Sequence, residues 1–561
     1  MAKTKGLAGG LTNYGDAEFA LYLRRSFAKS MGYSDEALQK PIVGICYTES
    51  GFNNCHRHFP DLLEAVERGV LSSGALPMPF PVTSLGEVFL NPTSMLFRNL
   101  MAMDVEEMIR AQPMDSVVLM GGCDKTIPAL LMGAISANKP AVMLVGGAMM
   151  TGRHKGERLG ACTDCRRFWA QYRSGKVDAA EISQVEGRLA VTAGTCAVMG
   201  TASTMAVIAE TLGLALPDTA SIPAVHADRL RAAEETGVCA ARLARGGPAP
   251  RDVITRESID NALRLLLAIS GSTNAVIHLA AIAGRLGIRI DPEHFNALSD
   301  STPVLVNLKP VGEGYMEDFH EAGGVGAVMR ELRSLLHLAT RDVTGQTLAA
   351  RLQKPATSER DDRFIKPYAQ PVDPLGGLII LRGTLAPDGA VLKRAAASPH
   401  LLEHEGRAVV FSSLEDLAAR IDDPALDVEA TDILVLQNAG PKSPAAMPEA
   451  GYLPIPKKLA VQGIKDMVRI SDARMSGTAF GTIVLHVSPE ASVGGPLSLV
   501  RAGDRIRLSA TTKTIDLLVA PEELAKRRMP ETGAISARGY ARLHRQHVLP
   551  ASQGCDLDFL V

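Results

Sequence analysis

The chain has 561 residues, 46% of them hydrophobic and 21% charged, and its formal net charge is -2. This length is expected to give two or more domains with a sizeable core. The small net charge, without a basic patch, argues against nucleic acid or an acidic membrane as a partner, so we expect a cytoplasmic enzyme that binds a small molecule.

Neither a secretory signal nor a membrane span is predicted. The first ten residues contain no long apolar core, and the apolar stretch 128–150 is interrupted by Asn138-Lys139-Pro140. Eight cysteines are too few for a disulfide framework in a chain of this length. In a reducing compartment they are expected to be ligands or core residues.

Three cysteines follow strand-like runs in the first 200 residues. Cys55 follows the strand-like residues 42–45, Cys123 follows residues 116–120, and Cys196 follows residues 189–192. Ligands of open α/β sheets bind at the carboxyl ends of strands, so the three thiols are predicted to converge there. Cys123 and Asp124 also set a soft donor beside a hard one, which suggests two metals in one pocket. The alternative is that each cysteine packs as a small hydrophobe.

A change of pattern near residue 360 predicts two domains. From about 35 to 350, apolar strands such as 141–145 alternate with helical stretches such as 259–286, which is typical of a parallel sheet covered by helices. After the polar linker 353–363, short strands dominate, and residues 509–513 are predicted to join two of them in a hairpin. We predict an α/β domain over 1–365 and a small β-barrel domain over 366–561.

Five separated motifs identify a family resemblance over nearly the whole chain. They are Gly-Gly-Cys-Asp-Lys-Thr at 121–126, Gly-Thr-Cys-Ala-Val-Met-Gly-Thr at 194–201, Ser-Gly-Ser-Thr-Asn-Ala-Val at 270–276, Met447-Pro448-Glu449, and Ser-Asp-Ala-Arg-Met-Ser-Gly-Thr at 471–478. The chain resembles the dihydroxy-acid and sugar-acid dehydratases, which carry an iron-sulfur cluster and magnesium. The resemblance also implies the carboxyl-terminal barrel.

The resemblance implies both cofactors and their ligands. It assigns an iron-sulfur cluster of the 2Fe-2S type to Cys55, Cys123 and Cys196, and Mg²⁺ to Glu87, Asp124, Lys125 and Glu449. A cluster with three cysteines leaves one iron open to substrate. An ammonium group cannot coordinate a cation, so Lys125 is expected to be carbamylated. The alternatives are that Lys125 forms a salt bridge with Asp124, and that Glu87 is a helix-start carboxylate.

The resemblance also selects Ser476 as the base, with Thr478 as its hydrogen-bond partner. A serine hydroxyl is too weakly acidic for this role unless it acts as an alkoxide beside magnesium. Outside the longer motif, Ser476-Gly477-Thr478 is an ordinary turn. Since the serine and the cysteines fall in different predicted domains, the site is expected at the domain interface.

The remaining cysteines are interpreted as structural. Cys162 and Cys165 have the spacing of a redox or zinc half-site, but the sequence offers no second half-site. We therefore interpret them as structural or incidental. Cys46 is predicted to lie in the core, and Cys239 and Cys555 match none of the family's cluster positions.

The predicted reaction is dehydration of an aldonate, such as L-arabinonate or D-xylonate, to a 2-keto-3-deoxy acid by a homodimer or homotetramer. Residues 194–202 and 437–458 are similar to the sugar-acid branch. The alternatives are dehydration of 2,3-dihydroxyisovalerate, a promiscuous enzyme, and a non-catalytic iron-sulfur sensor. The segment around Cys55 departs from the family pattern, and its neighbours His56, Arg57 and His58 are interpreted as either substrate ligands or solvated surface charge.

Overall fold

A parallel sheet forms the centre of the amino-terminal region. The computed structural model describes residues 5–355, 358–527 and 538–561. The sheet runs in the order β2-β1-β3-β4 and consists of β1 (Ile42–Tyr47), β2 (Leu76–Pro81), β3 (Ser116–Gly121) and β4 (Ala141–Val145). Strands β3 and β4 are buried along their whole length, as expected for a parallel sheet covered on both faces.

Helices cover this sheet. They are α1 (Ala17–Ser30), α2 (Phe59–Ser72), α3 (Ser94–Ala111) and α4 (Thr126–Ala137). Helix α4 is apolar all the way round, as expected for a helix whose residues 126–135 are all buried. It approaches α3 closely at Gly133, where an added Cβ would lie 2.7 Å from the carbonyl oxygen of Ala102.

A hairpin and two helices follow β4. They are β5 (Gly152–His154), β6 (Glu157–Leu159), α5 (Thr163–Arg173) and α6 (Ala179–Leu189). The strand predicted at 189–192 is wrong: α6 continues to Leu189, and the chain is then tied to the region after β4 by a single parallel bridge between Ala148 and Thr195.

The rest of the amino-terminal region is helical. Its helices are α7 (Thr201–Thr211), α8 (Ala227–Leu243), α9 (Pro250–Val253), α10 (Arg256–Ala268), α11 (Asn274–Gly284), α12 (Pro292–Ser301), α13 (Met316–Glu321), α14 (Gly324–Glu331) and α15 (Leu348–Gln353). The predicted strand–helix alternation therefore stops after β4. The helical stretch predicted over 259–286 is broken because Ser270 adopts a left-handed conformation with φ 46°.

A mixed sheet forms the centre of the carboxyl-terminal region. Its strands are β7 (Ile379–Leu381), β8 (Gly389–Leu392), β9 (Glu403–Phe411), β10 (Ile433–Leu436), β11 (Arg469–Ser471), β12 (Ile483–Ser488), β13 (Arg505–Ser509) and β14 (Thr514–Leu517). They are ordered β14-β13-β9-β10-β11-β12-β8-β7. A bridge between Arg382 and Thr514 brings the two ends together, so the sheet is barrel-like. The predicted α/β class, barrel-like sheet and hairpin at 509–513 are confirmed.

Short helices flank this sheet, and the end of the chain returns to the amino-terminal region. The helices are α16 (Leu414–Arg420), α17 (Lys457–Val461), α18 (Pro521–Leu524) and α19 (Gly539–His547). The buried Arg98 of α3 donates to the carbonyl oxygens of Gly554 and Cys555, each at 2.8 Å.

The domain boundary at 365/366 stays a prediction. Among the described residues, none of the helices has the length and apolar composition needed to cross a bilayer.

Candidate functional site

The three predicted cluster cysteines come together. Cys55 lies in the 3₁₀ turn Asn54–His56, Cys123 follows β3, and Cys196 follows the bridge at Thr195. The thiol of Cys123 is near enough to that of Cys55 to affect its pKa, and Cys196 lies near both, although the three sulfurs are not all within 4.8 Å of one another. The contact with Cys123, together with burial, raises the pKa of Cys55 well above its ordinary value. The structure therefore brings together soft donors from three separate segments.

His56 holds the loop that carries Cys123. Its Nε2 accepts the backbone N–H groups of Gly122 at 3.0 Å and Cys123 at 3.1 Å, while Nδ1 lies 2.7 Å from the carbonyl oxygen of Thr48. This pattern requires a neutral ring with the proton on Nδ1. Burial lowers the pKa of His56 to about 4, which agrees with a neutral ring. His56 is therefore an internal positioning residue, and both interpretations made from the sequence are wrong for it.

Three carboxylates form a second cluster beside the thiols. Ligand oxygens of Glu87, Asp124 and Glu449 all lie within 4.8 Å of one another. Asp124 directly follows Cys123, so the two clusters share one loop. Glu87 precedes α3, which begins at Ser94, and its carboxylate also accepts the hydroxyls of Thr93 and Ser94 at the start of that helix. Glu449 comes from the carboxyl-terminal region, and the two regions of the chain meet at this point.

Two buried cations face the carboxylates. Lys125 Nζ lies 3.4 Å from Glu87 Oε2 and 3.6 Å from Asp124 Oδ2. Arg474 donates to Glu87 Oε1 at 2.6 Å and to Glu449 Oε1 at 2.7 Å. Burial alone would raise the pKa of Glu87, but Arg474 and Lys125 hold it well below its ordinary value. For Glu449, burial and the nearby Glu87 charge outweigh Arg474, so its pKa is raised.

Ser476 lies two residues after Arg474, and its hydroxyl is 2.8 Å from that of Thr478. The backbone here has no room for a side chain on Gly477, since an added Cβ would lie 2.6 Å from Ser272 Oγ and 2.7 Å from the backbone nitrogen of Thr201. Ser272 belongs to the break between α10 and α11, and its Oγ is 2.8 Å from Thr201 Oγ1. The broken helix therefore provides a polar surface against which the serine turn packs.

Cys162 and Cys165 also lie at this site. The Sγ atoms of Cys162 and Cys196 are 2.9 Å apart, and the thiols of Cys162 and Cys165 are in hydrogen-bond contact. In the same segment, Thr163 Oγ1 donates to the carbonyl oxygen of Thr478 at 3.0 Å. The segment therefore lies beside the predicted cluster cysteines, whereas the sequence analysis interpreted its two cysteines as structural or incidental. Sequence spacing gave no sign of this contact, because the partner of Cys162 is 34 residues away.

Arg474 and His56 are the positioning residues that sequence reasoning missed. Arg474 stood inside a motif matched by resemblance, but its partner Glu87 is 387 residues away. His56 was considered only as a ligand or a surface charge. The available signal in the sequence was a histidine next to a cysteine, with Phe59 three residues later. In the structure the rings of His56 and Phe59 stack with centroids 4.1 Å apart.

The donor set fits two kinds of metal centre side by side. Carboxylate oxygens are the ligands that Mg²⁺ prefers, and thiolates are the ligands of iron-sulfur clusters. Buried carboxylates need cations beside them, which Lys125 and Arg474 supply in part, and grouped thiols are soft donors suited to iron. Their convergence from distant parts of the chain therefore favours metal binding.

Comparison with known proteins identifies the chain at two levels. A model described as dihydroxy-acid/6-phosphogluconate dehydratase N-terminal matches residues 40–351, and the corresponding C-terminal model matches residues 363–555. With these matches, the chain is a dehydratase, a lyase that breaks carbon–oxygen bonds. The chain belongs to the dihydroxy-acid/6-phosphogluconate dehydratase family, which confirms the resemblance seen in the sequence.

Relatives of this chain act on several acids. It is 45% identical to an L-arabonate dehydratase from Azospirillum brasilense, with 96% of this chain and 94% of the relative covered. It is 44% identical to a 6-deoxy-6-sulfo-D-gluconate dehydratase from Pseudomonas putida, with 94% and 91% covered. A dihydroxy-acid dehydratase from Caldicellulosiruptor bescii is 36% identical, with 95% and 98% covered.

Proposed function

We propose that this dehydratase converts an aldonate, with L-arabinonate or D-xylonate as the first candidates, to the 2-keto-3-deoxy acid. The observation that carries the proposal is the shared loop of Cys123 and Asp124, which joins the thiol cluster to the carboxylate cluster. The higher identity to the two sugar-acid dehydratases than to the dihydroxy-acid dehydratase supports the aldonate.

Cys55, Cys123 and Cys196 would hold an iron-sulfur cluster of the 2Fe-2S type, and Glu87, Asp124, Glu449 and a carbamylated Lys125 would hold Mg²⁺. When bound, these centres would supply Lewis acidity, magnesium by stabilising the negative charge that develops as the C2 proton leaves, and the cluster by making the C3 hydroxyl a better leaving group. The net charge supports the carbamate. An ammonium group carries +1, and a carbamate (-1) with Mg²⁺ (+2) also sums to +1, so the pocket's charge is unchanged.

The chain's own groups act on the proton at C2. Ser476 Oγ, in its alkoxide form, accepts this proton, and Thr478 fixes the direction of the oxygen through their 2.8 Å contact. The C3–O bond then breaks, and the hydroxyl takes the proton held by Ser476 and leaves as water, which restores the alkoxide. The enol ketonises by gaining a proton at C3 and losing the proton on its C2 oxygen. Arg474 stays charged throughout and holds Glu87 and Glu449 in place.

Arg166 supports a hydroxylated substrate over an alkyl one. Its Nη2 lies 4.0 Å from Glu449 Oε2, its guanidinium packs over the Tyr452 ring, and its Nε has no hydrogen-bond partner among the described residues. A free donor beside the carboxylates is suited to a substrate hydroxyl, whereas the alkyl group of 2,3-dihydroxyisovalerate would leave it unpaired. An aldonate therefore satisfies the site better.

The test is anaerobic turnover of protein loaded with cluster and Mg²⁺, measured as 2-keto acid formation. L-Arabinonate, D-xylonate, D-gluconate and 2,3-dihydroxyisovalerate are compared by kcat/KM, with Ser476→Ala as the inactive control and the remote Ser30→Ala as the matched active one. Preference for an aldonate supports the proposal, and preference for dihydroxyisovalerate replaces it with the alternative. Equal rates indicate a promiscuous enzyme. No turnover by protein that still carries iron would favour the non-catalytic sensor.

We also propose a reducing, cytoplasmic setting and a homodimer or homotetramer. All eight cysteines are free, although Cys162 and Cys196 are close enough to be oxidised together. Such thiols persist where glutathione and thioredoxin keep the compartment reduced. Light scattering on the loaded protein distinguishes the dimer from the tetramer.

A further inference from the structure

Three thiols lie in series beside the proposed cluster. Cys162 is the N-cap residue of α5, and Cys165 is the third residue of that helix. Residues with this spacing lie on one side of the first turn, so the two thiols meet. On its other side, the Cys162 sulfur is 2.9 Å from that of Cys196. Cys162 therefore contacts one thiol of its own helix and one thiol of the proposed cluster site.

The geometry is close to that of a disulfide. A disulfide bond is about 2.04 Å long, so the sulfurs of Cys162 and Cys196, at 2.9 Å, need to approach by only about 0.9 Å. As residues, Cys162 and Cys165 are both partly exposed, so this end of α5 lies near the solvent from which a small oxidant arrives. Cys196 itself begins no helix and has no Cys-x-x-Cys partner. The chain thus places a dithiol of the kind used in disulfide exchange against a lone cysteine.

We propose that Cys162 and Cys165 form a thiol–disulfide exchange site that protects and restores Cys196 when the cluster is absent. The role of Cys196 as a cluster ligand rests on the proposed function, whereas the exchange chemistry does not. The oxidant is a small peroxide, and the final reductant is an external dithiol. Three steps make up the cycle.

In the first step, peroxide oxidises the Cys162 thiol to a sulfenic acid and is reduced to water. In the second, the Cys196 thiol attacks that sulfur, so that a Cys162–Cys196 disulfide forms and a second water leaves. In the third, the Cys165 thiolate attacks the Cys162 sulfur and releases Cys196 as a thiolate, which takes up the proton that Cys165 lost. The external dithiol then reduces the Cys162–Cys165 disulfide.

This cycle protects Cys196 from irreversible oxidation. A thiol that forms a disulfide is recovered by reduction, while one that reaches the sulfinic acid is lost. When a cluster is bound, the Cys196 sulfur is occupied by iron, so the exchange is confined to the cluster-free protein. The dithiol is thus a repair site for the apoenzyme.

Peptide mapping of the whole, cluster-free chain tests the proposal. After brief treatment with a few equivalents of hydrogen peroxide and acid quenching, trypsin gives peptide 159–166, with Cys162 and Cys165, and peptide 189–229, with Cys196. We expect these two peptides to appear linked at first. The link should then be replaced by a disulfide inside peptide 159–166, two hydrogens lighter than its reduced form.

Variants assign each sulfur. Cys165→Ser blocks the third step and should accumulate the linked pair about tenfold over the wild type. Cys162→Ser and Cys162→Ala should form no link, while Cys239→Ala, which removes a buried thiol elsewhere, should behave as the wild type. The proposal would be overturned by any one of three results. They are wild-type protein in which peptides 159–166 and 189–229 never become linked, a link that persists in both Cys162 variants, and a link to the peptides that contain Cys55 or Cys123.

Cluster recovery gives a second readout. After peroxide and without added thiol, wild-type apoprotein, whose Cys196 has been released, should take up iron and sulfide, measured by visible absorbance and iron content, more fully than Cys165→Ser. Equal recovery would mean that Cys165 restores nothing. If the peptides link as expected but no cluster can be loaded at all, then the cluster assignment fails and the exchange chemistry stands.

Discussion

Arg474 is the residue whose replacement tests the charge arrangement most directly. Its guanidinium is fully buried, bonds to Glu87 and Glu449 at 2.6 and 2.7 Å, and donates through Nε to the Met447 carbonyl oxygen at 2.9 Å. Arg474→Gln leaves the three carboxylates with Lys125 and Arg166 as their neighbouring cations, changing the local charge from 0 to -1. Breaking a buried pair by removing one partner costs about 3 to 5 kcal/mol of unfolding free energy.

The loss should depend on pH. In the wild type the lowered pKa of Glu87 contributes stability above the unfolded value of about 4.3, and this is lost only as the pH falls towards the folded pKa. In the variant, burial without Arg474 raises the pKa of Glu87 above the unfolded value. The folded variant then binds a proton that the unfolded chain does not, so it gains stability on acidification. The difference between the two proteins should therefore shrink between pH 7.5 and pH 5.

The assay is urea unfolding of metal-free protein at both pH values, followed by circular dichroism. Arg505→Gln is the matched control, since it breaks an exposed pair with Glu405 and should change stability little. Adding Glu449→Gln to Arg474→Gln removes one uncompensated carboxylate and should restore part of the loss. Wild-type stability of Arg474→Gln at pH 7.5, or an equal loss at both pH values, would refute the reasoning.

Four further replacements test individual roles. Ser476→Ala should lower kcat at least about a thousandfold with Mg²⁺ affinity retained, because the proton acceptor is gone, and a residual rate within tenfold of the wild type would remove Ser476 as the base. Lys125→Arg cannot form a carbamate, so isothermal titration should show weakened Mg²⁺ binding, and added bicarbonate should strengthen it in the wild type alone. His56→Leu leaves the backbone N–H of Cys123 without its acceptor, at about 1 to 3 kcal/mol, and leaves that of Gly122 with only the Thr126 hydroxyl at 3.3 Å. The variant should therefore have a lower melting temperature and a lower iron content, and unchanged iron content would argue against a positioning role. Gly477→Ala places a Cβ 2.6 Å from a serine oxygen and should cost about 1 to 3 kcal/mol together with most of the activity, whereas normal kinetics would show that the turn can move.

Local hydrophobic pattern was enough to predict some of the strands around the site, but it could not predict several of the contacts between side chains there. Run 116–120 is apolar and ends before glycines, so both β3 and the position of Cys123 could be predicted. Run 189–192 could equally well follow a helix, and in the structure α6 ends at Leu189 while residues 190–192 are irregular. A short apolar run cannot distinguish these outcomes, since the tertiary partner decides between them.

Long-range pairing explains the other differences. The break at Ser270 depends on a left-handed residue and on packing against α7, neither of which appears in hydrophobic periodicity. The contact of Cys162 with Cys196 and that of Arg474 with Glu87 join segments that are remote in the chain. The family motifs located the candidate residues, but the geometry of the fold determines which neighbours hold them.

The return of the chain end to Arg98 has a consequence for synthesis. Arg98 is buried, and two of its acceptors are carbonyl groups 456 and 457 residues further along. At 5 to 20 residues per second, translation takes roughly 20 to 90 s to reach them. During that interval the native partners of Arg98 are limited to Asn99 and, after a further 180 residues, His278. The arginine of α3 therefore acquires its full set of acceptors only once residues 554 and 555 have been made, and loss of those two residues would remove two of its acceptors.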